Sequence, residues 1–291
     1  MRLDGPIYRP PLEANTIILQ VTRGCSHNSC KYCNMYRSTS FKVSPISEIE
    51  EDLLAIKLEK PDTDRLFLHA GDAFVLSFSK LKKIAETINE FLPKMKTITM
   101  YASINNIFNK SVEELKILKN LGINYLYIGL ETGDDKTLLT QNMGYTTNEA
   151  LEQLKKLEEA GIGYLTAYIL GAGGDGNGEE NALQSAKFFN QIKPNIIWTM
   201  NLIVFEGTPL HEDVKNGVFT ESSELEKMKE LKLFLENIDN EAHLISAHGS
   251  NLIDVSGYLP KDKDKMIEKL QQAINDYDPV KMQRMSDIRR F

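Results

Sequence analysis

Three cysteines stand within nine residues, Cys25-Ser-His-Asn-Ser-Cys30-Lys-Tyr-Cys33, and the 291-residue chain has no others. In a reducing compartment, thiols this close hold metals or take part in redox chemistry rather than forming disulfides. Two chemistries are open. With His27, the loop offers four zinc-type ligands, Cys25, His27, Cys30 and Cys33, enough to close a tetrahedral structural site, although Cys25 and His27 stand only two residues apart. Alternatively, three thiolates hold three corners of a [4Fe–4S] cluster and leave the fourth iron open to a ligand, which makes the cluster reactive rather than merely redox-active.

The elements that must position this loop follow a simple rhythm. Pro6, Pro10 and Pro11 make residues 1–15 an extended arm. Thr16 to Val21 is a β-branched apolar run, read as a strand, and the cysteines come at once after it. Ser47 with Glu50 forms a capping box ahead of Ile49, Leu53 and Ile56 at helical spacing. Arg65 to Ala70 is a strand, then Leu81, Ile84, Ile88 and Phe91 trace a helix that Pro93 stops. The next strand is Thr97 to Ala102. Ser111 with Glu114 caps a helix closed by Gly122, and Tyr125 to Gly129 is the fourth strand. A helix through Ala150, Leu154 and Leu157, a strand from Tyr164 to Leu170, a helix from about Glu179 to Gln191 and a strand from Asn195 to Val204 complete six β/α units.

Strands alternating with helices imply a parallel sheet, so the fold class is α/β, a partial (β/α)6 barrel of the TIM type. After Gly207-Thr208-Pro209 the rhythm changes to a helix over Ser222 to Asn237, a short strand over Ala242 to Ser246, a polar loop and a helix after Pro260. The organisation is therefore an arm at 1–15, a core at 16–210, and an α/β extension at 211–291 that covers one mouth of the barrel. The cysteine loop lies at the carboxyl end of the first strand, where such folds place their chemistry, and this favours the cluster over zinc.

On these residues the chain resembles the radical S-adenosylmethionine (SAM) superfamily over roughly Thr16 to Leu210. The usual spacing there is CxxxCxxC, and one extra residue separates Cys25 from Cys30 here. The resemblance implies that Cys25, Cys30 and Cys33 ligate the cluster and that Tyr32 packs the adenine. His69-Ala70-Gly71-Asp72 stands where the family receives the methionine amino group. Ser103 and Asn105 follow the third strand, and Gly129-Leu130-Glu131-Thr132-Gly133 ends the fourth, where relatives place a polar side chain on the ribose or amino-acid part. Gly171-Ala172-Gly173 ends the fifth, where glycine lets the backbone approach the adenosine. Each landmark also has an ordinary explanation as a turn glycine, a helix-start carboxylate or a loop hydroxyl. Their succession at strand ends is what supports a cofactor.

The run Gly129 to Asp135 with Asn142-Met143-Gly144-Tyr145-Thr146 is similar to the methylthiotransferase, elongator and coproporphyrinogen-oxidase-like branch. Met143 stands where relatives carry an arginine for the cofactor carboxylate, so another cation, Arg23, Arg37 or Lys136, must serve. Met35 replaces a further cysteine of the coproporphyrinogen oxidases, whose activity is not carried over. The resemblance implies an oxygen-sensitive enzyme with a [4Fe–4S] cluster and SAM, an external one-electron donor of flavodoxin or ferredoxin type, and hydrogen abstraction from substrate by a 5′-deoxyadenosyl radical. A bare electron carrier would need no adenosine pocket.

Composition bounds the partners. Forty-one acidic residues against 34 basic ones give a net charge of −7, which disfavours nucleic acid and leaves a small molecule or modest peptide as substrate. Three cysteines cannot build a second cluster of the usual kind. No apolar run approaches the roughly 20 residues that span a bilayer, and Met1 to Pro11 lacks a signal-peptide core, so a cytoplasmic location without membrane partners is expected. The polar loop Ser246 to Asn251, with His248, is a candidate for substrate contact or for a purely structural turn.

Overall fold

The computed structural model describes residues 2–279, so the tail Asp287 to Phe291, expected to be a solvated end, lies outside the described residues. Along the chain run β1 (Ile17–Gln20), β2 (Thr22–Arg23), β3 (Lys42–Val43), α1 (Ile46–Glu59), β4 (Arg65–His69), α2 (Phe78–Phe91), β5 (Thr97–Ser103), α3 (Val112–Asn120) and β6 (Ile123–Glu131). Then come α4 (Asp135–Thr140), α5 (Thr147–Ala160), β7 (Gly163–Leu170), α6 (Gly178–Phe189), β8 (Ile196–Asn201), α7 (Pro209–Lys215), α8 (Glu224–Asn237), β9 (His243–Ile245), β10 (Gly257–Tyr258) and α9 (Lys263–Asn275). The chain forms two compact units. One holds residues up to 28 with 35–129 and 152–164, and the other holds 29–34, 130–151 and the chain from 165 onward.

In the first unit β1, β4, β5 and β6 pair in parallel, with Leu19 opposite Leu68, Leu68 opposite Met100 and Met100 opposite Leu126. Leu66, Phe67 and Leu68 are fully buried, as befits strands covered on both faces. Leu53, Leu81, Ile88, Leu115 and Leu118 supply the buried faces of α1, α2 and α3. The box expected at Ser47 and Glu50 does not form. Helix α1 begins at Ile46, and Pro45 is its N-cap, with no side-chain cap bond. Ser47 therefore lies inside the first turn and cannot cap it. At α3 the expected box is present, with Ser111 N–H donating to Glu114 Oε2 at 2.9 Å and Glu114 N–H to Ser111 Oγ at 3.2 Å.

In the second unit β7 and β8 pair in parallel from Leu165 opposite Ile196 to Leu170 opposite Asn201. Strand β9 continues in parallel on β8, and β10 runs antiparallel to β9. The short strand of the extension thus prolongs the parallel series. Strand β8 stops at Asn201, short of the expected Val204; Leu202 N–H still donates to Leu170 O at 2.8 Å, and the chain then leaves the sheet for a turn over Phe205 to Thr208. Among the described residues, no helix is long and apolar enough to cross a membrane.

Candidate functional site

The cysteine loop springs from β2 and returns through β3, which pair antiparallel with Thr22 opposite Val43. This clasp has only two residues per strand, so hydrophobic periodicity gives no sign of it. Gly24 has φ +71°, and a Cβ there would lie 2.9 Å from the Thr39 carbonyl oxygen, so glycine is required at the turn into Cys25.

In the first unit the end of β4 is fastened to the start of this loop. Gly71 N–H donates to the Gly24 carbonyl at 3.2 Å, and Ala70 N–H donates to Thr22 Oγ1 at 3.1 Å. A Cβ on Gly71 would stand 2.6 Å from Tyr36 Cε2 and 3.1 Å from Cys25 Cβ. Asp72, buried, accepts Ser26 N–H at 3.0 Å and the Ser26 hydroxyl. Burial pushes its carboxyl up, while Ser26, Asn106 and the charge of His27 work against that. Asn106 also accepts Ser103 N–H at 2.9 Å, and Asn105 beside it is half-buried. Cys25, Gly71, Asp72 and Ser103 are thus brought together through Ser26 and Asn106. Sequence reading passed over Asn106, whose one signal is its place three residues after Ser103.

In the second unit the turn from Cys30 to Cys33 is held on several sides. Lys31 N–H donates to Gln141 O at 2.9 Å, Leu210 N–H to Lys31 O at 3.1 Å, and Asn142 Nδ2 to Ser29 O at 3.0 Å. Lys31 Nζ pairs with Asp213 at 2.7 Å. The Tyr32 ring packs on the apolar cluster of Ile169, Ala172, Leu202, Leu210 and Phe219. Its hydroxyl meets the Glu131 carboxylate. Burial, then the charges of Glu131, Cys30 and Cys33, raise the phenol pKa well above its ordinary value, so Tyr32 stays a donor. Burial pushes Glu131 up to about 7, against the Tyr32 hydrogen bond.

Glu131 is the last residue of β6 and has φ +69°, a conformation that costs a non-glycine residue of order 1–3 kcal/mol. Thr132 N–H donates to the Leu130 carbonyl at 2.8 Å, closing a three-residue turn around Glu131. Tyr145 OH donates to the same carbonyl at 3.0 Å. The strain is offset by these bonds, and it aims one carboxylate at the cysteine turn.

Gly171, with φ +78°, gives its N–H to Glu230 Oε2 at 2.9 Å, and a Cβ there would lie 2.9 Å from Lys227 Cε. Its near neighbours are therefore Lys227 and Glu230 of α8 and Ser222 just before that helix. Burial pushes Glu230 up to about 7, opposed by bonds from Gly171, Asn181 and Tyr168. No local sequence signal marks Glu230. Met143 is buried. Of the cations named in its place, Arg23 pairs with Asp4 at 2.6 Å, Lys136 donates to Asn177 at 2.8 Å, and Arg37 is half-buried. The polar loop over 246–251 is bound into the fold, since Asn251 accepts Asn201 N–H at 2.8 Å and donates to Thr199 O at 2.9 Å, and His248 Nδ1 lies 2.7 Å from Ser250 Oγ.

The donor set, three thiols within nine residues, is of the kind an iron–sulfur cluster takes. None of the three thiols is in a disulfide and each is half-buried. Among the described residues, no three His, Cys, Asp or Glu side chains are gathered as a ready metal cage. Polar groups of the carboxyl strand ends, Asp72 and Glu131, back onto the loop from within their own units.

Residues 19–189 match the model of the radical SAM superfamily. The chain is 27% identical to heme chaperone HemW of Bacillus subtilis (strain 168) over 144 residues, 47% of this chain and 38% of that protein. It is 21% identical to a putative methylthiotransferase of Methanocaldococcus jannaschii over 179 residues, 56% of this chain and 37% of that one. It therefore spans well under half the length of these curated relatives. The solved structure of methylornithine synthase is similar at a TM-score of 0.53 and 17% identity, covering 77% of this chain and 63% of that one, a likeness of fold. The matched segment contains all three cysteines, Glu131 and Gly171, and nothing in these similarities supports the structural zinc site. The chain, an α/β protein of the partial-barrel kind, belongs to the radical SAM superfamily, whose members are enzymes that use a [4Fe–4S] cluster and SAM.

Proposed function

We propose that Cys25, Cys30 and Cys33 hold a [4Fe–4S] cluster and that Tyr32, Gly71, Asp72, Ser103, Asn105, Glu131 and Gly171 line the SAM site. The observation that carries this reading is the hydrogen bond between Tyr32, in the cysteine turn, and the strained Glu131 at the end of β6. When bound, the reduced cluster and SAM supply one-electron cleavage of the sulfonium C–S bond, giving a 5′-deoxyadenosyl radical that takes hydrogen from substrate.

The chain's own part is positional. Asp72 fixes Ser26 next to Cys25, and the backbone after β4 offers carbonyls to the methionine amino group. Glu131 in its ionised form accepts from Tyr32 with one oxygen and leaves the other for a ribose hydroxyl or ammonium. The Tyr32 ring gives adenine an apolar face. To the extension that follows the core we assign the exclusion of water from the site. A small-molecule or peptide substrate, a flavodoxin- or ferredoxin-like donor and a cytoplasmic location complete the reading.

The test is electron paramagnetic resonance of the reconstituted, reduced chain with and without SAM. A spectrum that shifts on adding SAM, and does so only at higher SAM in Glu131→Gln, supports the reading. A cluster signal indifferent to SAM in the parent chain contradicts it.

A further inference from the structure

The turn that presents Glu131 is held by residues far from it in sequence. Thr132 Oγ1 donates to Asn181 Oδ1 at 2.5 Å and lies 3.2 Å from Ser185 Oγ, which accepts Gly133 N–H at 2.9 Å. Asn181 Nδ2 donates to Glu230 Oε1 at 2.7 Å. Glu230 also accepts the Tyr168 hydroxyl at 2.9 Å and Gly171 N–H at 2.9 Å. Thr132, Asn181, Ser185 and Glu230 are exposed by 1%, 1%, 0% and 2%, so the whole chain of bonds is shielded from water.

Its direction is fixed from one end. Above about pH 7, where Glu230 is ionised and its carboxylate only accepts, Asn181 must turn its NH2 to Glu230 and its oxygen to Thr132. The Thr132 hydroxyl must then donate to Asn181, and its oxygen remains to accept Asp134 N–H at 3.0 Å. A rotated amide at Asn181 would set donor against donor at Glu230. Helix α8 thereby dictates the rotamer of the residue that follows Glu131.

We propose that Asn181 and Glu230 are positioning residues for the cofactor site, acting through Thr132 to hold the backbone turn that aims Glu131. This rests on the reading that Glu131 meets SAM. A polar core cluster of purely structural value would change stability and leave SAM affinity alone.

The test uses the full chain, reconstituted anaerobically, with the SAM dissociation constant read from the paramagnetic signal of the reduced cluster. Thr132→Val and Asn181→Ala are expected to weaken SAM binding about tenfold or more at unchanged iron content, the effect of losing one buried hydrogen bond. Thr132→Ser, which keeps the hydroxyl, stays within about threefold of the parent, and Glu236→Gln, on the same helix but paired with Lys232 outside this network, binds as the parent does. In the metal-free chain, amide hydrogen exchange over 130–134 quickens in Thr132→Val and not in Thr132→Ser. Where Thr132→Val fails to fold, the isosteric Glu230→Gln replaces it, with weakened binding again expected. Parent-like affinity in these variants, while Glu131→Gln binds weakly, overturns the inference. Parent-like affinity in Glu131→Gln overturns the reading beneath it.

Discussion

The phenol of Tyr32 donates to the carboxylate of Glu131, so the turn between two cysteines and the strained end of β6 share one hydrogen bond. A charge-assisted bond of this kind contributes about 1.5–3 kcal/mol. Tyr32→Phe keeps the ring on its apolar cluster and removes only the donor. SAM affinity is expected to fall about tenfold or more, with iron content unchanged, as measured by titrating the cluster signal.

Gly71 has no room for a methyl group against Tyr36 and Cys25. Gly71→Ala is expected to cost about 1–3 kcal/mol of stability, since a crowded site must push its neighbours aside. It should also lower iron retention, because Cys25 is one of the displaced groups. Adding Tyr36→Leu should restore part of both, which thermal unfolding and iron analysis would read.

Glu230 carries a pH signature. Its carboxyl, with an ordinary value of 4.5, is raised to about 7 in the fold by burial. Between these values the folded chain holds a proton that the unfolded chain has released, so stability falls as pH rises from about 4.5 to about 7 and then levels. Glu131 titrates over the same window for the same reason. Glu230→Gln should make the fall in stability over this window shallower in denaturant melts run at stepped pH. An unchanged slope would show that Glu230 does not titrate there.

Glu13 behaves with the opposite sign. Burial pushes it up, but the bonds from Arg65, Thr16 and Tyr127 outweigh burial and hold it below its ordinary value. Arg65 Nε lies 3.0 Å and Tyr127 Oη 2.5 Å from the carboxylate. Its contribution is present above about pH 4.5 and lost as pH falls through the lower folded value. Glu13→Gln keeps one acceptor oxygen for Arg65 but loses the charge and sets an NH2 among donors, and is expected to destabilise by about 1–3 kcal/mol at neutral pH, less the share screened at the half-exposed Arg65. Melts at pH 7 against pH 3 should show the difference shrinking.

The alternation of strands and helices was legible because apolar runs such as Leu66 to Leu68 and helical repeats such as Leu81, Ile84 and Ile88 carry their own periods. The cysteine spacing announced its chemistry in the same way. What escaped depended on contacts between distant residues. Ser47 and Glu50 spell a capping box, yet Pro45 starts the helix before them. The approach of Lys227 from α8 to Gly171 has no local sign. Asn106, Asn181 and Glu230 are ordinary residues in ordinary elements, and only the folded chain gives them partners.

The most direct measurement is 5′-deoxyadenosine formed from SAM by the anaerobically reconstituted, dithionite-reduced chain, with Cys30→Ala beside it. The account predicts product with the parent chain and none with Cys30→Ala, which lacks a cluster ligand. Failure of the parent chain to take up iron and sulfide, with one zinc bound per chain in their place, would contradict it.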